Sequence, residues 1–384
     1  MRSPVCGFCQ YRSLRGAAGR AARISVYGAA GQRKVSLRNP LQSHAFGDII
    51  AWMTINEYIG NYAPAWRGHT PGHKGKLDRR DVTEILDIFP GDLITRAEER
   101  GARLYGAEKL RFLVGGSSVG IKASVLASGA ERIVTDVYRH RAVDEAARLA
   151  GAELVTAGGG EENGLPRLTT AEDIAGAMEK SGATAAVVQY PDYYGRTPDL
   201  AGMEREVRRL GGTLICDSAH GAHFALRPDL FPESAVMRSD ACNMSAHKTL
   251  GGLTQTAFLV CRGNVADKTD EMLDVLGTTS PNYMLLASLE LCVDNAGALA
   301  GEYDRLKRFA DGLRSRYACL PNADFTRVVF DCGRGRGREA AYAFYDNGAA
   351  AEKYDDRYVV FILTPFDEDK ELEALERAAA AVLG

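Results

Sequence analysis

The sequence predicts an α/β protein with a mostly parallel seven-stranded sheet in a large domain and a small α+β domain at the C-terminal end. Two observations support this prediction. From about residue 110, short apolar runs alternate with amphipathic stretches, a pattern typical of β-α units around a parallel sheet. The length of 384 residues also allows two or three domains, at roughly 150 residues each.

Seven apolar runs have the length of strands, and four amphipathic stretches between them have the helical period. The predicted strands span residues 111–114, 132–135, 153–156, 185–189, 213–216, 241–244 and 257–261, and the predicted helices span residues 118–127, 143–150, 171–180 and 200–210. A Ser, Thr or Asp that can cap the helix stands near each helix start, as at Thr170 and Asp199.

The C-terminal part shows a different order of elements. A long helical pattern covers residues 283–313, followed by a strand at 326–330, a helix from Arg338, a strand at 358–363 and a closing helix at 370–382. We therefore expect a large domain at residues 53–300 and a small domain at residues 301–384. The Arg/Gly stretch at 333–338 is too short for a nucleic-acid-binding tail and is expected to be a solvated loop.

The first 52 residues differ from the rest in charge. They contain eight basic residues and one acid, so the total formal charge of −3 leaves about −10 for residues 53–384. We expect a disordered or non-native extension in residues 1–52, and a targeting leader and a functional basic arm are the alternatives. Cys6 and Cys9 form a CxxC motif, but zinc prefers four ligands and no second pair lies nearby, so no metal site is expected.

Composition also bears on membranes and on the compartment. The longest apolar runs, such as residues 183–188, are far shorter than the roughly 18 residues that a membrane span needs. The cysteines beyond the first 52 residues are scattered, and free thiols in a reducing compartment explain them best. We therefore expect a cytoplasmic protein with neither a membrane nor a nucleic acid as partner.

Polar residues follow four of the predicted strands, at residues 115–118, 136–140, 217–220 and 245–248. Ligands of open parallel sheets bind at the carboxyl ends of the strands, so these loops are predicted to meet in one site. The turn from Gly115 to Gly120 matches neither a dinucleotide nor an NTP fingerprint. It is either an anion-binding helix N-terminus or only a tight turn.

Three further residue types in these loops point to chemistry. Asp217 follows an apolar strand and is either a carboxylate at the mouth of the sheet or a helix N-cap. Lys248, at a strand end beside imidazoles and a carboxylate, suggests a Schiff-base lysine, although most isolated lysines are solvated surface groups. His220 and His223 suggest a metal pair, but no third ligand is spaced to fit a known zinc pattern.

Pyridoxal phosphate (PLP) is the cofactor that needs this set. It requires a lysine for its aldehyde, an anion site for its phosphate and a carboxylate that keeps the ring nitrogen protonated. Lys248, the loop at residues 116–118 and Asp217 would fill these roles. An aromatic or imidazole ring stacked on the cofactor is a common fourth element, and His140 would supply it.

The motifs around these residues resemble those of the PLP-dependent Orn/Lys/Arg decarboxylases, which have the aspartate-aminotransferase-like fold (fold type I). The resemblance runs from Thr54 to the C-terminus and is to the short form without an N-terminal wing domain. Its segments are residues 69–75 (HTPGHKG), 112–120 (FLVGGSSVG), 217–224 (DSAHGAHF), 245–255 (SAHKTLGGLTQ), 279–283 (TSPNY) and 358–365 (YVVFILTP). Gly115, Ile121 and Ser218 depart from the family pattern, which leaves the substrate geometry open.

The resemblance implies a role for each matching residue. Lys248 would form the aldimine, Asp217 would face the ring nitrogen and His140 would stack on the ring. The remaining cofactor-binding residues would be Gly116, Ser117, Ser118 and Ser245 at the phosphate, Ala219, His220 and His247 beside the ring, and Thr278 and Ser280 from across a homodimer interface. His73, Glu352 and Asp355 would contact the substrate.

The resemblance also implies the reaction, the decarboxylation of arginine, lysine or ornithine to agmatine, cadaverine or putrescine, as in polyamine metabolism. Loss of CO2 would pass through a quinonoid that Asp217 stabilises, and Lys248 or His247 would return the proton to Cα. An aminotransferase or lyase of the same fold is the alternative, with Arg327 as a candidate carboxylate clamp. A cofactor-free paralogue is the non-enzymatic alternative.

Overall fold

The computed structural model describes residues 54–62, 66–82 and 92–384. The expectations for residues 1–52, including the CxxC motif of Cys6 and Cys9, lie outside the described residues. The elements below are numbered in chain order within the described part.

Twelve strands, twelve α-helices and two short 3-10 helices (Phe224–Leu226 and Ala235–Met237) are present in the described ranges. The strands are β1 (Lys109–Leu113), β2 (Arg132–Thr135), β3 (Glu153–Thr156), β4 (Glu161–Glu162), β5 (Leu165–Pro166), β6 (Ala185–Gln189), β7 (Thr213–Asp217), β8 (Ala241–Met244), β9 (Ala257–Cys261), β10 (Arg327–Asp331), β11 (Lys353–Tyr354) and β12 (Tyr358–Ile362). The helices are α1 (Ile55–Asn61), α2 (Asp92–Leu104), α3 (Ser117–Ser128), α4 (Arg141–Ala150), α5 (Ala171–Ser181), α6 (Leu200–Arg209), α7 (Ala246–Thr249), α8 (Gly263–Leu276), α9 (Tyr283–Asp294), α10 (Ala296–Arg316), α11 (Gly337–Asp346) and α12 (Asp369–Leu383).

The central sheet has seven strands in the order β1-β9-β8-β7-β6-β2-β3. Neighbouring strands from β8 to β3 run parallel, whereas β9 is antiparallel to both β8 and β1. The mostly parallel sheet predicted from the sequence is confirmed. Strands such as β6 and β9 are apolar along their length because helices cover both faces of such a sheet. The carboxyl ends of β1, β2, β6, β7 and β8 therefore share one edge.

Helix α3 packs on the sheet through its buried face, and Gly120 lies where this face meets β8. A Cβ on Gly120 would clash with Asn243 Oδ1 and would stand 2.8 Å from Leu113 Cδ1. Glycine at this position therefore sets how closely the helix approaches the sheet. The helix begins at Ser117, so this packing also positions the residues at its N-terminus.

Local caps begin or end several helices. Thr170 forms a capping box with Asp173 at the start of α5, and the Asp199 carboxylate accepts a hydrogen bond from Gly202 N–H at the start of α6. Glycines in the left-handed region, among them Gly129, end several helices.

The C-terminal elements form a smaller α+β unit. Strands β10, β12 and β11 make an antiparallel sheet in that order, and α11 packs against this sheet and against α12. The predicted small α+β unit is thus present. The boundary between residues 300 and 301 stays a prediction, and α10 continues through it.

The helical pattern predicted over residues 283–313 forms two helices. Asn295 interrupts it, because its ψ of 1° leaves the helical region, so α9 ends and α10 begins there with a bend of 65°. Within the described ranges, no single helix is long and apolar enough to span a membrane, and α9 and α10 meet the length and composition criteria only as this bent pair.

We predict that Gly120→Ala lowers the free energy of unfolding by on the order of 2 kcal/mol, because the added methyl group overpacks the contact between α3 and the sheet. Gly176→Ala is the matched control: it lies inside α5, and no atom lies within 4 Å of the place that its added methyl group would take. Helix propensity predicts stabilisation there by about 0.5–1 kcal/mol. Urea denaturation measures both, and equal effects would contradict this account of Gly120.

Candidate active site

Lys248 and His220 meet at the carboxyl edge of the central sheet. Lys248 lies in the short helix α7, directly after β8, and His220 lies in the loop that follows β7. Lys248 Nζ is 3.0 Å from His220 Nε2. Because β7 and β8 are parallel neighbours, the two loops that follow them leave the sheet side by side. The His220 side chain is fully buried, and Lys248 is partly buried.

The small unit reaches the other side of His220. Arg327, the first residue of β10, donates from a terminal guanidinium nitrogen to His220 Nδ1 at 3.0 Å. The ring of Tyr193 packs against the same imidazole, with 4.6 Å between the ring centroids. His220 is therefore held by one group from the central sheet, one from the small unit and one aromatic face.

Asp217 is the last residue of β7 and is buried. Its carboxylate accepts a hydrogen bond of 3.2 Å from Ala219 N–H. Because Asp217 ends a strand and no helix starts at it, the N-cap alternative does not describe it. Burial raises the pKa of this carboxyl, and the nearby Lys248 and His140 act in the opposite direction.

Burial also sets the charge state of the basic groups. It lowers the pKa of Lys248, and the charge of Arg327 adds to this effect, while Asp217 and Glu352 oppose it. Burial lowers the pKa of His220 well below its ordinary value, and Arg327 and Lys248 add to this effect. Both shifts favour the neutral forms of the two side chains.

The N-terminus of α3 supplies donors for an anion. Gly116, with a φ of 76°, precedes the helix, and no side chain caps its first turn within the described structure. The Ser245 hydroxyl donates to the Ser117 hydroxyl at 3.1 Å, which joins the end of β8 to this turn. Gly116 N–H donates to the carbonyl oxygen of Gln255 at 2.8 Å and anchors the loop. Ser118 is the second helical residue of the same turn.

The other predicted histidines lie at three different places. His140 caps α4, with Nδ1 accepting from Ala142 N–H at 3.2 Å, and stands close enough to Asp217 to affect the pKa of that carboxyl. His247 Nδ1 donates to the Thr256 carbonyl oxygen at 2.9 Å. His223 contacts Asp324 at 3.3 Å, and no three His, Cys, Asp or Glu side chains among the described residues are grouped so that they could hold a metal ion.

The predicted substrate acids differ in what they contact. Glu352 accepts a hydrogen bond from the Tyr193 hydroxyl and so lies next to the ring that packs on His220. Asp355 accepts from the Tyr194 hydroxyl and from two backbone N–H groups of the turn before β12. Both oxygens of the Asp355 carboxylate therefore already accept hydrogen bonds from local structure.

Three predicted residues are not brought to Lys248 by the described contacts of this chain. His73 contacts Asp81 at 3.0 Å in the segment before α2. Thr278 and Ser280 lie on the exposed turn between α8 and α9, where Ser280 N–H donates to the Thr278 hydroxyl at 3.2 Å. Their roles stay predictions.

Two residues of the site were assigned no role from the sequence. Tyr193 follows β6 in the loop beside His220, and tyrosine after a strand is too common to indicate a site. Asp136 follows β2 and is buried, with one carboxylate oxygen accepting from Gln189 N–H at 2.7 Å and the other without a partner in the described structure. Its position after a strand was the available signal.

Comparison with known proteins identifies the family. The family model described as Orn/Lys/Arg decarboxylase, major domain, matches residues 81–328. The chain belongs to this family. Among curated proteins, the uncharacterized protein YaaO of Bacillus subtilis is 34% identical over 225 residues, covering 55% of this chain and 46% of that protein. Arginine decarboxylase of the same organism is 27% identical over 270 residues, which cover 68% of this chain and 53% of that protein.

Solved structures show the same fold as this family member. The constitutive lysine decarboxylase of E. coli matches with a TM-score of 0.71 at 16% identity. The match covers 88% of this chain and 60% of the lysine decarboxylase chain. The serine palmitoyltransferase of Sphingomonas wittichii matches with a TM-score of 0.59 at 17% identity. The match covers 75% of this chain and 76% of the transferase chain. The predicted fold class, that of PLP-dependent transferases, is confirmed. The chain spans about half the length of the curated relatives it matches.

We predict a pH-dependent effect of Asp136. Burial, together with the charges of Asp217 and Asp192, raises the pKa of Asp136 to about 8 from an ordinary value of 3.8. The folded state therefore binds a proton that the unfolded chain releases, and this contribution to stability is complete below about pH 4 and is lost as the pH rises to about 8. As the pH rises from about 5 to 8, the free energy of unfolding should fall less in Asp136→Asn than in the wild type, by on the order of 2 kcal/mol.

Urea denaturation at several pH values measures this difference. Asp267→Asn is the matched control, because the Asp267 side chain is 93% exposed. It should follow the wild-type pH dependence. If Asp136→Asn also followed it, Asp136 would not carry the proton in question.

Proposed function

We propose that this protein uses PLP to remove the α-carboxylate of a basic amino acid, arginine, lysine or ornithine, with release of CO2. The observation that carries the proposal is the contact of 3.0 Å between Lys248 Nζ and the buried His220, at the same sheet edge as the buried Asp217. Membership of the decarboxylase family supports the reaction type.

The donor set at this edge fits PLP. The hydroxyls of Ser117 and Ser245 and the uncapped start of α3 suit a phosphate group, because helix N-termini favour anions. Asp217 suits a protonated ring nitrogen, and a nitrogen cation would offset the burial that raises the pKa of its carboxyl. Lys248, whose pKa burial lowers, suits the aldehyde.

The cofactor would therefore be held by Lys248 at its aldehyde, Asp217 at its ring nitrogen and the α3 start at its phosphate. When bound, PLP supplies an electron sink that accepts the bonding pair released by the departing CO2. No protein base is needed for that departure, because the carboxylate leaves its electrons behind.

The protein's own residues then handle one proton. Cα of the product needs a proton in place of the carboxylate, and Lys248 Nζ and His247 Nε2 are the proposed donors. His220, at 3.0 Å from Lys248 Nζ, orients this amine. Burial of His220 and Asp217 limits water access and makes the electrostatic effect of Asp217 stronger than in solution.

We propose Glu352 as the residue that binds the substrate's distal cation. Its side chain is exposed, contacts the Tyr193 hydroxyl, and carries a charge that reaches Lys248. Asp355, the other predicted acid, is already used by Tyr194 and the turn before β12. The charge of about −10 on residues 53–384 adds a weak long-range attraction for a cationic substrate.

The contacts of Arg327 favour decarboxylation over amino transfer. An arginine that clamps a substrate carboxylate needs free donors, but Arg327 is fully buried and donates to His220 and to the Thr326 hydroxyl. It also lies 3.7 Å from Asp324. These contacts occupy the two terminal nitrogens of the guanidinium, whereas Nε has no partner in the described structure.

We also propose that the protein acts as a cytoplasmic homodimer, with Thr278 and Ser280 reaching the partner's site. Their exposure on the turn after α8 supports this assignment. The six described cysteines are free, in keeping with a reducing compartment. Analytical ultracentrifugation should give a dimer or a larger oligomer, and a monomer at micromolar concentration would overturn the interface role.

We predict that the protein releases CO2 from one of arginine, lysine and ornithine and removes no other carbon from it. It should not transfer amino groups to α-keto acids. Measured CO2 release and chromatography of the amine product test this. Lys248→Ala should lower kcat by at least about 10³-fold, because both the cofactor link and the proposed proton donor are lost. Keto-acid-dependent exchange without CO2 would favour the aminotransferase alternative.

We predict that Glu352→Gln raises KM for the preferred basic amino acid by about tenfold or more, with a smaller change in kcat, because a charge-assisted contact is lost. Asp356→Asn is the matched control. Its carboxylate lies in the same segment but faces Gly335 N–H and Arg334. An equal rise of KM in both variants would indicate a general charge effect and contradict the role of Glu352.

A further inference from the structure

Arg327, His220 and Lys248 form a continuous line of hydrogen bonds. The guanidinium of Arg327 is 3.0 Å from His220 Nδ1, and His220 Nε2 is 3.0 Å from Lys248 Nζ. The imidazole therefore has a basic side chain at each nitrogen. Such an arrangement determines where the protons lie.

Proton counting along this line leaves one arrangement. Arginine stays protonated in proteins and has donors only, so His220 Nδ1 must accept. A neutral imidazole carries one N–H, which then lies on Nε2 and points at Lys248 Nζ. An ammonium group has no lone pair to accept this proton, whereas a free amine has one. The two contacts are therefore compatible only with a neutral Lys248.

The position of Arg327 is itself held by buried groups. Its guanidinium donates to the Thr326 hydroxyl at 3.1 Å and lies 3.7 Å from Asp324. Asp324 also contacts His223 at 3.3 Å and accepts from the Thr326 hydroxyl at 2.6 Å. Burial opposes the charge on Asp324, but His223 and Arg327 outweigh it and lower the pKa of this carboxyl to about 2. The positive charge of Arg327 thus has a fixed counterion.

The other charged groups around this line act in both directions. Asp217 from β7 and Glu352 from the segment before β11 raise the pKa of Lys248, while burial and Arg327 lower it. His220 is additionally faced by His223 and His247, whose charged forms would disfavour a second proton on it. Among these groups, Arg327 both repels a proton on Lys248 and contacts the imidazole nitrogen that selects the tautomer.

We propose that Arg327 is a positioning residue that fixes the Nε2–H tautomer of His220 and thereby keeps Lys248 as a free amine, the form that reacts with a carbonyl carbon. Arg327 touches neither the substrate nor the cofactor in this role. The link to PLP rests on the proposed function, but the proton positions do not.

The tautomer is measured directly by nitrogen-15 NMR of the full chain with labelled histidine and without added cofactor. His220→Gln identifies the signals of His220. In the wild type near neutral pH, Nε2 should show the shift of a protonated nitrogen and Nδ1 that of an unprotonated one. A proton on Nδ1 would overturn the proposal, and this spectrum decides without any Arg327 variant.

The lysine is measured by competitive acetylation of the full chain with acetic anhydride over a range of neutral to alkaline pH, followed by mass spectrometry of each lysine-containing peptide. Lys248 should react with a midpoint at least about one pH unit below that of the exposed Lys370. Arg327→Met should raise the Lys248 midpoint by about one pH unit or more, and Arg327→Lys, which keeps a charged donor, should retain most of the wild-type value.

The variants must keep the wild-type circular dichroism spectrum for this comparison. An unchanged Lys248 midpoint in a folded Arg327→Met protein would overturn the proposal. Its failure is distinguishable from failure of the proposed function. If the proton positions are as expected but the protein releases no CO2, only the proposed function is wrong. If the protein is an active decarboxylase but His220 carries its proton on Nδ1, only the proposed role of Arg327 is wrong.

Discussion

The contact of 3.0 Å between Lys248 and His220 joins a partly buried amine to a fully buried imidazole, and the proposed proton arrangement leaves both without charge. Two protonated groups at 3.0 Å would repel each other strongly in a medium of low polarity. The structure avoids this by giving His220 a donor on its other side, Arg327, whose own charge is balanced by Asp324. The small unit therefore contributes to the site through the first residue of β10.

The carboxyl edge of the central sheet also holds several buried acids. Three buried acids, Asp136, Asp192 and Asp217, follow or end neighbouring strands, and among them Asp192 has a direct arginine partner, Arg196, at 2.7 Å. Burial raises the pKa of all three carboxyls. A protonated ring nitrogen at Asp217 would supply a positive charge there and would offset part of the cost of burying these carboxyls.

The sequence was informative where a residue's position in a strand decides its role. Asp217 and Lys248 follow apolar runs, and parallel strands place such residues at one edge, so their proximity was predictable. The predicted boundaries of β2, β3, β6, β8 and β9 agree with the structure, because each of these strands coincides with an apolar run. Asn295 was not recognised as a break, because one polar residue within a long apolar pattern is compatible with a continuous helix. The contacts of Arg327 and Tyr193 with His220 were not predictable from spacing, since they depend on how the β10 sheet and the loop after β6 pack against the loop after β7.

The most direct measurement of the central claim is reduction of the purified protein, incubated with PLP, by sodium borohydride, followed by peptide mass spectrometry. Reduction fixes a carbonyl-amine link as a stable secondary amine. We expect one pyridoxyl group per chain, on the peptide that contains Lys248, and none at that peptide when Lys248 is replaced by alanine. A modification located at another lysine, or no specific modification, would contradict the assignment of this site.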